Sequence, residues 1–321
     1  MNIITIQALK IARKLYQAIY PDSSAFGRNW KIFPMKEYSN DLIYKSLMDN
    51  KPIMIARLGS VELTCLCNYI AVHNKKFKTV HGFISGKTPP WWWNLSTIKL
   101  MQSNAGFFPI ETNKIEKFCH QMIIDMQEVN ILGSWLKEEK FYKAELSDSK
   151  KVMLEDLEPF FSNNPWTHAL ENKKILVVHP FAETIESQYK KRKLIFSSAL
   201  LPDFELKTIK AVQSIAETKT DFSDWFEALD WMKNEIEKVD FDICILGCGA
   251  YGFPLAAHIK RMGKKAIHLG GVTQLLFGIK GKRWEEYVVY PYTNLYNEHW
   301  VRPGDNEKPK NAQIVEGACY W

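Results

Sequence analysis

The stretch Asp242-Ile-Cys-Ile-Leu-Gly-Cys-Gly-Ala-Tyr-Gly-Phe-Pro-Leu-Ala-Ala-His258, followed by Gly263-Lys-Lys-Ala-Ile-His-Leu-Gly-Gly271, decides the fold class. An apolar run of strand length from Val239 to Leu246 enters a glycine turn. An amphipathic helix follows, and a second apolar strand ends on two more glycines. Such a β-turn-α-β unit belongs in a parallel sheet, with the glycines at the carboxyl ends of the strands, where ligands bind. Gly247, Gly249 and Gly252 allow a tight turn and a close backbone approach, and the helix N-terminus offers free N–H groups to a phosphate. This is a Rossmann-like nucleotide-binding unit in outline. A dinucleotide site also needs an Asp or Glu about 20 residues further on to hold the ribose. That place holds His268-Leu-Gly-Gly271, and no carboxylate occurs between Asp242 and Glu285, so an NAD or FAD reading lacks its second anchor. The competing structural reading is that the glycines serve only close helix–strand packing.

Outward from this unit, strands and helices alternate. Helices are predicted over Lys36 to Met48, from Ser60 (as N-cap) to about His73, over Thr112 to Glu128, Glu183 to Phe196 and Phe222 to Lys238. Between them lie strands at Pro52 to Ala56, Val129 to Gly133, Lys173 to His179 and Glu205 to Ala211. Thr88 to Trp93 is a loop that opens a further helix, and Ser162-Asn-Asn-Pro165 is the strongest loop signal of the middle. The pattern predicts an α/β fold with a mostly parallel sheet and helices on both faces. It divides into an N-terminal helical segment over 1–50, an α/β domain over 51–290, and a tail over 291–321, rich in Asn, Pro and Trp, that wraps over the domain.

The chain has 321 residues, 46% hydrophobic and 24% charged, which is globular composition. Its net charge of +6 is spread along the chain rather than concentrated, which favours anionic ligands or a membrane surface and not nucleic acid. The one dense cluster, Lys190 to Lys193, reads as a solvated helix face. Six cysteines without CxxC spacing read as reduced core thiols of a cytoplasmic protein. No uncharged run approaches the length of a membrane-spanning helix. Met1 to Tyr20 instead forms an amphipathic helix with a basic side and no acid before Asp22. It either packs on its own domain or makes peripheral contact with the inner membrane face.

Three constellations can carry chemistry. In Ile55-Ala-Arg-Leu-Gly-Ser-Val-Glu62 a strand ends at Arg57 and a helix begins near Glu62, so both side chains project at a strand's carboxyl end. Arg57 suits a pyrophosphate or a carboxylate through its planar fork. Glu62 is a metal ligand, a base, or simply the ion-pair partner of Arg57. In Val177-Val-His179-Pro-Phe-Ala-Glu183 a strand again runs into a turn and a helix. His179 and Glu183 stand at the junction, where a His is either a catalyst or only bonds the following turn. Glu183, Thr184, Gln188 and Arg192 share a helical face that lines a cleft or faces water. Trp91 to Trp93, Trp300 and Tyr320-Trp321 are sugar or base platforms, or core and lid anchors.

Arg57-Leu-Gly-Ser-Val-Glu62, together with Gly247-Cys-Gly249 and the strand Gly263 to Gly271, resembles the GT-D-type glycosyltransferases of bacterial polysaccharide and glycoprotein assembly. That family opens with an Arg-x-Gly-x-x-Glu turn and closes with a helix, a Gly and an Ala-Ile-x-x-Gly strand. The likeness runs from about Ile53 to Trp284, and the ending Glu298 to Trp321 is similar to proteins of capsule and O-antigen gene sets. The resemblance implies transfer of a sugar from a nucleotide-sugar donor, commonly a UDP-sugar, to a hydroxyl of a glycan or lipid-linked acceptor. Arg57 and Glu62, with His179 and Glu183, become the expected catalytic residues. Gly59, Ser60, Gly247, Gly249, Tyr251, Gly252, Gly270, Gly271 and Gln274 become the expected donor site. The family commonly has an Asp two residues before its Glu, and the pair serves a divalent metal. Here Ser60 stands in that place, so Mg²⁺ or Mn²⁺ would rest on Glu62 and diphosphate oxygens, or Arg57 and helix N-termini would stabilise the leaving group without metal. The alternatives from other classes are a non-catalytic glycan- or nucleotide-binding assembly protein and an adenosyl-cofactor methyltransferase.

Overall fold

The computed structural model describes residues 2–29, 31, 34–196, 200–287 and 290–321. Seven parallel strands form one sheet: β1 (Ile53–Ala56), β2 (Ile131–Ser134), β3 (Lys150–Met153), β4 (Lys174–His179), β5 (Glu205–Lys210), β6 (Ile243–Leu246) and β7 (Lys265–His268), in the order β3-β2-β1-β7-β6-β4-β5. β1, β2, β6 and β7 are buried throughout or nearly so, because helices cover both faces. Alternate residues divide between two cores. Met54, Ala56, Leu176, Val178, Cys244, Leu246 and Ala266 point to one face. Ile53, Ile55, Ile175, Val177, Ile243, Ile245 and Ile267 point to the other.

The first face is packed by α3 (Ser60–His73), α6 (Thr112–Met126), α9 (Trp225–Glu237) and α10 (Gly252–Arg261), whose inward residues include Leu63, Phe118, Met232 and Leu255. The second is packed by α2 (Lys36–Met48), through Ile43 and Leu47, by α7 (Ala182–Tyr189), through Ile185, and by Tyr292 and Trp300 of the C-terminal segment. α1 (Ile3–Ile19) buries no residue fully and rests against α4 (Val80–Ile84). The remaining helices are α5 (Leu95–Ser103), α8 (Arg192–Ile195) and α11 (Lys282–Glu285).

Three expectations need correction. The helix expected from Glu183 to Phe196 is two, α7 and α8, broken at Lys190 and Lys191, and Arg192 turns aside to bond Asp203 (Nε–Oδ1 2.7 Å). Gly59, not Ser60, is the N-cap of α3. The edge strand β3 was not expected at all, because its Lys150 and Lys151 are exposed and only Val152 is buried. The six cysteines are free and buried. Met1 of the N-terminal helix and Val288 and Val289 of the 51–290 segment lie outside the described residues.

Candidate functional site

Register sets the rim. Val178 of β4 pairs with Leu246 of β6, Leu246 pairs with His268 of β7, and Ile55 of β1 pairs with Ile267, so the residues that follow emerge side by side. The turns after all seven strands line one cavity of about 490 Å³. Arg57, Gly59, Ser60 and Glu62 come from β1, Trp135 from β2, and Glu155 and Glu158 from β3. His179 and Phe181 come from β4, Ser214 from β5, Gly247, Gly249 and Tyr251 from β6, and Gly270, Gly271 and Gln274 from β7. Glu316, Tyr320 and Trp321 of the C-terminal segment add a wall.

Arg57 has no ion pair or hydrogen bond to a described residue; its guanidinium lies over the Trp135 ring, 5.3 Å from the centroid. The Arg57–Glu62 ion pair that the motif allowed is not formed, although Glu62 is the strongest charge attracting Arg57. A half-buried guanidinium without a hydrogen-bonded counter-charge is costly, and its planar fork suits a phosphate or carboxylate. Glu62 curls back over its own N-cap, so a Cβ at Gly59 would overlap the carboxylate. Burial raises the Glu62 pKa, and Arg57 opposes the rise.

The glycines divide by role. Gly249 (φ +57°) and Gly270 (φ +69°) occupy left-handed backbone, and a Cβ on Gly249 would meet nothing closer than 4.0 Å, so its face is open to the cavity. At Gly247 a Cβ would strike His179 and Thr273, and at Gly271 it would strike Tyr320. Gly252 is a correction: it lies beneath the His268 ring and outside the cavity, so it serves packing. Tyr251 stacks on Trp225 (4.9 Å, 8°) and bonds Ser214 through its hydroxyl (2.9 Å). Gln274 is buried, and its amide nitrogen donates to the carbonyls of Ile279, Lys280 and Tyr320 (3.2, 3.0 and 3.1 Å), which pins the C-terminal segment.

Glu183 is the second correction. It stands outside the cavity, exposed, paired with Lys210 (2.8 Å) and bonded by Asn306 (2.8 Å). Of its helical face, Thr184 bonds Glu307 and buried Gln188 donates to the His299 carbonyl (2.9 Å), so this face lines no cleft. His179 does line the cavity, but its Nδ1 accepts the Phe181 N–H (2.9 Å), which leaves the ring proton on Nε2. Burial pulls its pKa down to about 3, so it is neutral and a donor. Among the tryptophans, Trp321 lines the cavity, whereas Trp91 and Trp92 pack on Phe83 and Trp300 is core.

Sequence reasoning missed the turn after β3. Glu155 and Glu158 are buried in the cavity wall. Glu155 Oε1 receives Arg28 and the Tyr287 hydroxyl (2.9 Å), while Oε2 has no hydrogen-bond partner among the described residues. Glu158 receives the Tyr292 hydroxyl at 2.5 Å, and burial pushes its pKa up to about 8. The Glu155-Asp-Leu-Glu158 spacing was visible, but without a strand before it nothing placed it on the rim. Among the described residues no group of three or more His, Cys, Asp or Glu is arranged to hold a metal ion.

A parallel α/β sheet with glycine turns, Arg57 and buried carboxylates gathered at its carboxyl rim is a Rossmann-like architecture. The chain matches the family model of the GT-D fold-like domain over residues 37–276, and it belongs to that family. No curated protein and no solved structure matches it.

Proposed function

We propose that this protein is a glycosyltransferase that moves a sugar from a nucleotide-sugar donor, a UDP-sugar in the first instance, to a hydroxyl acceptor in surface polysaccharide or glycoprotein assembly. The observation that carries the reading is Arg57: a cation with no ion-paired partner among the described residues, seated on Trp135 and sharing a cavity with the turns at Gly249 and Gly270. The donor diphosphate binds there, and its negative charge grows as the sugar–phosphate bond breaks. A fixed guanidinium already in place stabilises that charge without reorganisation. Gly59, Ser60, Gly247, Gly249, Tyr251, Gly270, Gly271 and Gln274 form the donor wall.

Transfer also needs a group to take the acceptor proton. Glu183 stands outside the cavity and His179 offers a proton rather than a lone pair, so the role passes to Glu158. A carboxyl with a pKa of about 8 is a stronger base, once ionised, than an ordinary carboxylate. Glu62 orients the donor. A Mg²⁺ or Mn²⁺ ion would be held by Glu62 with diphosphate oxygens and water, and would supply further neutralisation of the leaving group. Ser60 adds at most a hydroxyl, so no step here depends on the ion.

The test is a panel of nucleoside diphosphates and their sugars, scored for binding by calorimetry and for diphosphate release with glycan and lipid-linked hydroxyl acceptors. Diphosphate binding with acceptor-dependent release is the expected result. Diphosphate binding without release for any donor and acceptor would favour a non-catalytic binding protein. Binding of adenosyl cofactors alone would replace the reading altogether.

A further inference from the structure

Helix α1 turns its apolar side to solvent. Ile6, Leu9 and Tyr16 are half-buried, and Arg13 lays its guanidinium over the rings of Phe26 (5.2 Å) and Phe83 (4.9 Å). Away from that face, Ile4, Ile11, Leu15 and Ile19 recur at helical spacing and are 81%, 59%, 62% and 69% exposed. A stripe of this kind is what a globular helix normally buries.

The second observation is charge. α1 contains no acidic residue. Phe26 meets Phe141 (5.8 Å), which meets Phe77 (5.8 Å), so the turn Lys75–Phe77 shares this corner of the molecule with α1. Lys10, Lys14, Lys75, Lys76, Lys78 and Lys140 are exposed there, and none is ion-paired to a described residue.

We propose that α1 docks this protein on an anionic lipid bilayer, with Ile4, Ile11, Leu15 and Ile19 in the headgroup–acyl boundary and the lysines on lipid phosphates. An apolar stripe beside unpaired cations is the recipe for interfacial binding. A second copy of the chain fits less well, because two such faces would bring two sets of unpaired lysines together. No helix among the described residues is long and apolar enough to cross a membrane, so the contact is peripheral. Docking is independent of the reaction proposed above.

The test uses the full chain with phosphatidylcholine vesicles, with and without phosphatidylglycerol, in a sedimentation assay at low and raised salt. Binding to the anionic vesicles, weakened by salt, is expected. Lys10→Glu with Lys14→Glu should weaken it about 25-fold or more, since each lysine is worth roughly fivefold. Ile11→Ser with Leu15→Ser should abolish it, with circular dichroism and Tm unchanged because both side chains face solvent. Failure to bind, equal binding to neutral vesicles, or a concentration-dependent dimer that the serine variant dissolves without any vesicle binding would each overturn the proposal.

Discussion

The buried carboxylate of Glu307 accepts the backbone N–H of Thr184 (3.2 Å), and that of Glu183 as well (3.0 Å), so the C-terminal segment caps helix α7. The anion-binding end of that helix is therefore filled by the protein's own carboxylate and is not free for a phosphate. Glu307→Ala leaves these donors without their acceptor and should lower unfolding free energy by roughly 2 kcal/mol or more. Differential scanning calorimetry measures this, and an unchanged Tm would show that the cap contributes nothing.

Arg57→Ala should weaken nucleoside diphosphate binding by about 10- to 100-fold, the worth of a charged hydrogen-bonding group. Arg57→Lys should recover only part of it, since an ammonium cannot present the planar fork or stack on Trp135 in the same way. Calorimetric titration with the diphosphate reads both. Equal affinity in all three proteins would move the anion site elsewhere.

Gly249 and Gly252 should separate cleanly. Gly249→Val places a branched side chain at the cavity wall on left-handed backbone, so donor affinity falls, with a strain of about 1–2 kcal/mol. Gly252→Ala instead displaces the His268 ring, so stability falls and donor affinity is largely kept. Thermal unfolding and donor titration on each variant decide the matter; the reverse pattern would exchange their roles.

Glu158→Gln should abolish transfer while leaving diphosphate affinity near wild type, because Glu158 stands apart from Arg57 in the proposed chemistry. A stability signature accompanies it. The ordinary value of 4.5 rises to about 8 in the fold, so across that interval the native protein holds a proton that the unfolded chain releases. The contribution is full below the unfolded value and is lost as pH rises through the folded one. Wild type should therefore lose stability to urea between those two values, and Glu158→Gln should lose less. Parallel curves for the two proteins would remove Glu158 as the titrating group.

The inner strands could be read because each is an apolar run that ends at a glycine, a histidine or an arginine. Lys150-Lys-Val-Met153 carried no such mark: an edge strand with one buried residue looks like a loop, and with it the acidic turn at Glu155 and Glu158 went unseen. Glu183 was misplaced because α7 begins at Ala182, which rotates the next side chain out toward Lys210. Gly252 was assigned to a ligand because sequence distinguishes poorly between a glycine that admits a phosphate and one that admits a ring. The His268 ring is supplied by the next strand, so only the folded chain tells them apart.

The wall formed by Glu316, Tyr320 and Trp321 has a consequence for synthesis on the ribosome. All seven strands are translated before these residues, so a nascent chain can complete its sheet while its pocket still lacks one side. Tyr320 then settles against Gly271, and Gln274 holds its carbonyl, only after both have waited through the intervening residues. The sheet and this wall of the pocket are thus laid down at different times.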